Sequence, residues 1–343
     1  MDGGYAIETT ALAKRFGAVE AVAGIDLRVP IGSVFGFLGP NGAGKTTTIR
    51  MLVGLIRPTR GSARVLGSPV TIGGIDLRGV GAVVERPAFY PYLSATSNLR
   101  VFAAMQGVAG PEAKRQIAAA LDRTGLETAA NRKVGGFSTG MRQRLGLALA
   151  MLLEPRLVIL DEPTNGLDPA GVVEVRATIT ELARSGATVF LSSHVLTEVE
   201  QLCDQVAVLA HGRIVATGAP RDLLAGPGVI RVRFDTPAEA ASARAMLIAD
   251  GVEAMADESG ETVESGLLVA LPSGEGSRLS RRLAEAGLFP AELTPVRQTL
   301  EAAFLELTRD AARDDGDRPD DAERDRAMFD SESGAPGTKG GAR

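Results

Sequence analysis

Residues 39–50 read GPNGAGKTTTIR, and this run restricts the fold more than any other stretch of the chain. Gly39, Gly44, Lys45 and Thr46 fit the spacing GxxxxGK(S/T), a loop whose bare amides and lysine cradle phosphates. That spacing carries weight only between a strand and a helix, and both are predicted here. SVFGFL (33–38) is an apolar run entering the loop; KTTTIRMLVGL leaves it with helical spacing at Ile49, Leu52 and Val53. Lys45 is placed to reach the β- and γ-phosphates of a nucleotide, Thr46 to put its hydroxyl on Mg²⁺, and the helix start adds its positive dipole end.

The second element is LVILDEPTNGLDP (157–169). Four apolar residues put Asp161 at the carboxyl end of a buried strand, where an open α/β sheet binds ligands. Asp161 can hold Mg²⁺ through water, and Glu162 can serve as general base on an attacking water. A strand ending in two solvated acids is the plain reading of such a run alone. It yields because a phosphate loop lies about 115 residues upstream. The third element, GFSTGMRQRLGLALAMLLEP (136–155), opens a long helix on Ser-Thr-Gly, which is a second anion-binding device. Two phosphate-binding helix starts with one lysine-bearing loop suit a head-to-tail pair, each nucleotide held between two copies.

Around these elements, residues 5–38 alternate as short strands with Gly and Pro turns. Residues 94–153 turn helical, with Pro111 in a first turn and Gly107 and Gly125 at helix ends. RLVIL (156–160), ATVFLS (187–192) and QVAVLA (205–210) are apolar runs separated by helices, which predicts a parallel sheet covered on both faces. From residue 228 the order becomes βαββαβ, a small ferredoxin-like α+β domain over 228–308. Its first helix carries Thr236 as N-cap, Pro237 at the first position and Glu239 closing a capping box. The run TLEAAFLELTR reads as an amphipathic helix. Residues 309–343 hold ten acids, seven bases and little apolar matter, and are expected to be a disordered charged tail.

Composition closes off other classes. Of the net charge of −5, −3 belongs to that tail, so the body carries no overall basic excess for nucleic acid. The single cysteine, Cys203, excludes a disulfide framework and a cysteine-rich zinc site, and reads as a small buried apolar residue. The most apolar run, LGLALAMLL (145–153), stops at Glu154-Pro155, short of a membrane span. The N-terminus lacks the basic and apolar regions of a signal peptide, so a cytoplasmic protein is expected.

The motifs together resemble the ATP-binding subunit of an ABC transporter over residues 5 to about 222. GPNGAGKT matches the family's Walker A, LVILDE its Walker B, and FSTGM its LSGGQ signature. GLD (166–168) is similar to the D-loop, SSH ends in His194 at the switch histidine that contacts the γ-phosphate, and KRFG puts Phe16 where an aromatic stacks on adenine. The resemblance implies a P-loop NTPase fold with an antiparallel β subdomain and a helical subdomain at about 86–154. It implies a nucleotide lined by Phe16, Gly39, Pro40, Asn41, Gly42, Ala43, Gly44, Lys45, Thr46, Thr47, Glu85, Ser138, Gly140, Asp161 and Asp168. Catalysis falls to Glu162, His194 and Lys45, and Mg²⁺ to Thr46, Asp161 and Glu85. Phe137, Thr139 and Met141 depart from the signature, and Glu85 stands where the family has a glutamine.

The C-terminal extension resembles drug- and antibiotic-resistance exporter subunits serving separately encoded ABC-2-like permeases. A homodimer on the inner face of the plasma membrane follows. RPAFYPYL clusters Phe89, Tyr90 and Tyr92, either as subdomain core or as the lip of a groove for the permease. A soluble ABC-type ATPase acting on nucleic acid or the ribosome is the alternative. One Walker A, one cysteine and the short separation of the Walker motifs argue against it. A subunit that binds ATP without hydrolysis is a further alternative, and Glu162 and His194 argue against that.

Overall fold

The structure is a computed structural model that describes residues 4–72, 79–84, 88–223, 228–257, 265–271 and 275–296. The chain divides into two compact units between Pro220 and Arg221.

The first unit begins with β1 (Tyr5–Phe16), β2 (Val19–Ile25), β3 (Arg28–Pro30) and β4 (Val34–Leu38). Then come α1 (Lys45–Leu52), β5 (Arg60–Val65), β6 (Ser68–Pro69) and β7 (Val80–Val83). Strands β2-β1-β5-β6 form an antiparallel sheet, with β3 also paired to β1. Helices α2 (Ala95–Met105), α3 (Gly110–Arg123) and α4 (Thr139–Met151) follow and pack on each other through Leu99, Ile117, Leu121, Phe137 and Leu145. The chain then alternates β8 (Leu157–Leu160), α5 (Pro169–Arg184), β9 (Thr188–Ser193), α6 (Leu196–Leu202) and β10 (Gln205–Ala210), and ends in β11 (Arg213–Gly218).

The resulting sheet runs β11-β10-β4-β9-β8-β7, parallel except for the hairpin strand β11 at its edge. Every residue of β4, β8 and β9 is buried, which is why these strands read as unbroken apolar runs rather than as alternation. Phe190 on β9 packs between Phe35 and Phe37 of β4, ring centroids 6.0 and 5.5 Å away. Cys203 lies in this core: a Cβ on Gly36 would meet its Sγ at 3.0 Å, and burial pushes its thiol pKa up. His211 and Gly212 turn the β10–β11 hairpin with φ of 48° and 76°, a turn role for that histidine.

Helix α7 (Pro220–Leu223) straddles the division. The second unit has β12 (Gly228–Arg233), α8 (Pro237–Ala249), β13 (Ala254–Ala256), β14 (Gly266–Leu271), α9 (Gly276–Glu285) and β15 (Glu292–Val296). All neighbours in its sheet, β13-β14-β12-β15, are antiparallel, the split-βαβ arrangement. Its core is Val232, Phe234, Ala243, Leu247, Val269 and Leu283. Thr236 caps α8 by accepting the Glu239 N–H at 3.3 Å. The expected return bond differs, because Glu239 Oε2 accepts from the Thr236 hydroxyl itself at 2.9 Å. The run TLEAAFLELTR and the tail 309–343 lie outside the described residues.

Candidate active site

The Gly-rich loop leaves β4 and enters α1, and its glycines answer to what stands behind it. A Cβ on Gly39 would lie 2.5 Å from the Leu209 carbonyl oxygen, and one on Gly44 would lie 2.5 Å from that of Ala21. Gly44 also has φ of 105°, which a side chain would strain. Gly212 N–H holds the loop from β10's end through a 3.1 Å bond to the Ala43 carbonyl. Pro40, Asn41 and Gly42 form the exposed rim, while Ala43, Gly44, Lys45 and Thr47 are buried. No side chain caps the start of α1, so its first amides remain for an anion.

The charged groups converge from three strand ends. Lys45 is only 5% exposed; its Nζ donates to the carbonyls of Gly39 (2.8 Å) and Pro40 (3.1 Å) and lies 3.2 Å from Glu162 Oε1. Thr46 Oγ1 donates to Asp161 Oδ2 at 2.8 Å. Glu162 has φ of 46°, a left-handed backbone that costs a non-glycine residue about 1–3 kcal/mol. That corner turns its carboxylate back across the loop, where Oε2 meets His194 Nδ1 at 2.6 Å. A carboxylate only accepts, so Nδ1 carries the proton in this pair. Lys45, Thr46, Asp161, Glu162 and His194 therefore form one cluster, drawn from the ends of β4, β8 and β9.

Two buried hydroxyls that sequence reading missed complete it. Ser192 on β9 donates to Asp161 Oδ1 at 2.5 Å and accepts the Glu162 N–H at 2.9 Å. Thr164 donates to Glu198 Oε2 at 2.6 Å, tying the turn after Glu162 to α6, the helix after His194.

Other expected site residues stand apart from this cluster. Ser138 caps α4 by accepting the Met141 N–H at 3.2 Å, and Asp168 caps α5 by accepting that of Gly171 at 3.0 Å. A Cβ on Gly140 would come 3.9 Å from Leu167, so the FSTGM and GLD segments adjoin each other. Among the described residues, no hydrogen bond or ion pair joins Ser138, Gly140 or Asp168 to residues 39–47. Phe16, half-buried at the end of β1, has Lys14 Nζ over its ring at 4.8 Å. Glu85 lies outside the described residues.

The aromatic trio divides. Phe89 packs edge-on against Phe102 in the helical core at 6.2 Å, whereas Tyr90 and Tyr92 pair with each other outside it, 43% and 66% exposed. Asn98 holds the backbone of this segment. Fully buried, it accepts the Tyr90 N–H at 2.8 Å and donates to the carbonyls of Tyr90 (3.1 Å) and Ser94 (3.0 Å), fixing the segment's path. Phe137 of the variant signature is buried in the same core with the Arg132 guanidinium 5.9 Å from its ring.

The residues present fit a nucleotide and a divalent cation. The loop is a cradle that a Cβ would fill, and Thr46 with Asp161 offers the hard oxygens Mg²⁺ prefers, one carboxylate complemented by phosphate and water.

Comparison with known proteins shows the family. The signature of the ABC transporter family matches residues 22–165. The chain is 46% identical over 211 residues to the bacitracin transport ATP-binding protein BcrA of Bacillus licheniformis, covering 61% of this chain and 68% of that one. It is 37% identical over 312 residues to the daunorubicin/doxorubicin resistance ATP-binding protein DrrA of Streptomyces peucetius, covering 90% and 94%. A solved ATP-binding subunit of an ABC transporter superposes with a TM-score of 0.58 at 32% identity, over 63% of this chain and 91% of that one. The chain belongs to the ATP-binding subunits of ABC transporters, and it is an ATPase.

Proposed function

We propose that two copies of this chain close head-to-tail on Mg·ATP and power export through a separately encoded membrane permease. One observation carries the reading: Lys45, Thr46, Asp161, Glu162 and His194 cluster within one chain, while among the described residues no hydrogen bond or ion pair joins Ser138 or Gly140 to them. Each needs a partner that the other supplies. Relatives named for bacitracin transport and for daunorubicin/doxorubicin resistance support a drug- or antibiotic-type cargo.

In this reading Lys45 shares its ammonium between loop carbonyls and the terminal phosphates. Glu162 takes the proton of the attacking water, and His194 fixes the Glu162 carboxylate through its Nδ1–H. Mg²⁺, held by Thr46 and Asp161, supplies charge compensation for the phosphates. Ser138, Gly140 and the first amides of α4 receive the γ-phosphate of the partner copy, and Phe16 stacks on adenine once Lys14 yields its face.

Among the described residues no helix is long and apolar enough to cross a membrane. Placement on the inner membrane face therefore goes through the permease, for which Tyr90 and Tyr92 offer an exposed apolar lip. No observation favours action on nucleic acid or the ribosome.

Glu162→Gln removes the base while keeping its shape, so Mg·ATP should trap a dimer visible by light scattering, and Lys45→Ala should abolish it. A strict monomer at micromolar protein and millimolar ATP, with permease present, would overturn the dimer.

A further inference from the structure

The middle strand of the site carries a residue, the first of SSH, to which the resemblance gives no role. β9 lies between β4, which feeds the Gly-rich loop, and β8, which feeds Asp161 and Glu162. Leu160 pairs with Leu191, so the next residues along, Asp161 and Ser192, stand side by side at the strand ends. Strand alternation puts Ile159 and Asp161 on one face of β8, and Phe190 and Ser192 on the matching face of β9. Apolar packing thus runs up this face and ends in a single polar pair.

Ser192 is fully buried, and a hydroxyl offers one donor. That donor goes to Asp161 Oδ1, and a lone pair receives the Glu162 N–H. The other Asp161 oxygen already accepts from Thr46. One hydroxyl therefore sets the rotation of the Asp161 carboxylate and pins the left-handed corner that aims Glu162. A strand serine serving only its own backbone would need neither bond.

We propose that Ser192 is a positioning residue that presents Asp161 to the divalent cation of the nucleotide. This rests on the Mg²⁺ reading above, and it adds a residue to that site. Groups that orient a metal-binding carboxylate typically govern affinity on the order of tenfold or more.

The test uses the full chain and a fluorescent ATP analogue, titrated with Mg²⁺ and, separately, bound in EDTA. Ser192→Ala should raise the Mg²⁺ concentration for half-maximal binding on the order of tenfold, with binding in EDTA unchanged. Ser192→Cys keeps the volume with a weaker donor, and should shift the curve the same way by less while preserving the fold. Ser193→Ala is the control. Its hydroxyl is also buried, yet it accepts from the Val195 N–H at 2.9 Å and touches neither acid. It should leave the Mg²⁺ curve in place even if the melting temperature falls. A Mg²⁺-dependent wild type with unshifted Ser192→Ala and Ser192→Cys curves would overturn the proposal alone. A wild type indifferent to Mg²⁺ would overturn the metal reading as well.

Discussion

Two sets of opposite charges, one at the site in the first unit and one on the surface of the second, stand in different surroundings. In the first, Lys45 and Glu162 pair at 5% and 18% exposure, and His194, 40% exposed, closes the row at its open end. In the second, Arg282 with Asp250 and Arg233 with Glu292 pair at a third to a half exposure along the surface. Desolvating charges is expensive, and a buried pair gains little stability over apolar packing. Exposed pairs cost little and contribute little. On the proposed reading the Lys45–Glu162 pair is kept for what it binds, and exchanging the exposed pairs is expected to leave function intact. Breaking a member of the first set should cost activity; breaking one of the second should cost almost nothing.

The largest effect is expected at the row itself. Glu162→Gln should lower steady-state phosphate release by about 10²–10⁴-fold, the usual range for a lost general base. Nucleotide affinity, read by equilibrium binding, should change far less. An equal loss of affinity would make Glu162 a binding residue rather than the base, and would weaken the contrast between the units.

Next comes the loop that presents Lys45. Gly44→Ala puts a methyl 2.5 Å from the Ala21 carbonyl and asks an alanine to hold φ of 105°. Urea denaturation should show a loss of at least about 1–3 kcal/mol, with nucleotide binding falling further as the loop moves off its cradle. A variant as stable as wild type would show that the loop is not pressed from behind.

A third, smaller effect separates two helix starts within the first unit. α1 begins at Gly44 with no side-chain cap, whereas α4 begins at Ser138, whose own oxygen accepts the Met141 N–H. Ser138→Ala should therefore cost about 0.5–2 kcal/mol of stability and leave nucleotide binding to the separate chain intact. If Ser138 acts on the nucleotide of a second copy, as proposed, phosphate release should fall more than stability does. Unchanged turnover would confine Ser138 to capping.

Why some of this could be read in the sequence follows from the same contrast. The Gly-rich loop was legible because sterics at Gly39 and Gly44 admit nothing else. LVIL followed by Asp161 was legible because a strand buried on both faces must be apolar until it reaches the site. Ser192 was not, since one serine in an apolar strand has many meanings until β8 is set beside it. The left-handed corner at Glu162 has no local signal either, for glutamate rarely adopts it. Phe89, Tyr90 and Tyr92 read alike as a cluster, and only the packing of Phe89 on Phe102 separates the inward ring from the two exposed tyrosines.

The smallest effect belongs to the second unit. Arg282 donates to both Asp250 oxygens, Nε to Oδ2 at 2.7 Å and Nη2 to Oδ1 at 3.0 Å. This bonding holds the Asp250 carboxyl below its ordinary value of 3.8, the guanidinium hydrogen bond being the main cause. A carboxyl whose folded pKa is depressed stabilises the fold above its unfolded pKa and loses that contribution as pH falls through the folded one. At neutral pH the pair is therefore at full strength. Its charges stand in water, however, and salt screens them. Arg282→Ala should return the Asp250 titration, followed by NMR, upward to the ordinary carboxylate range. Any difference in melting temperature should be small at pH 7, shrink in high salt and vanish well below pH 3.8. Phosphate release should not change. A loss of turnover in this variant would mean that a surface pair of the second unit reports to the active site, and the division of labour between the two sets of charges would fail.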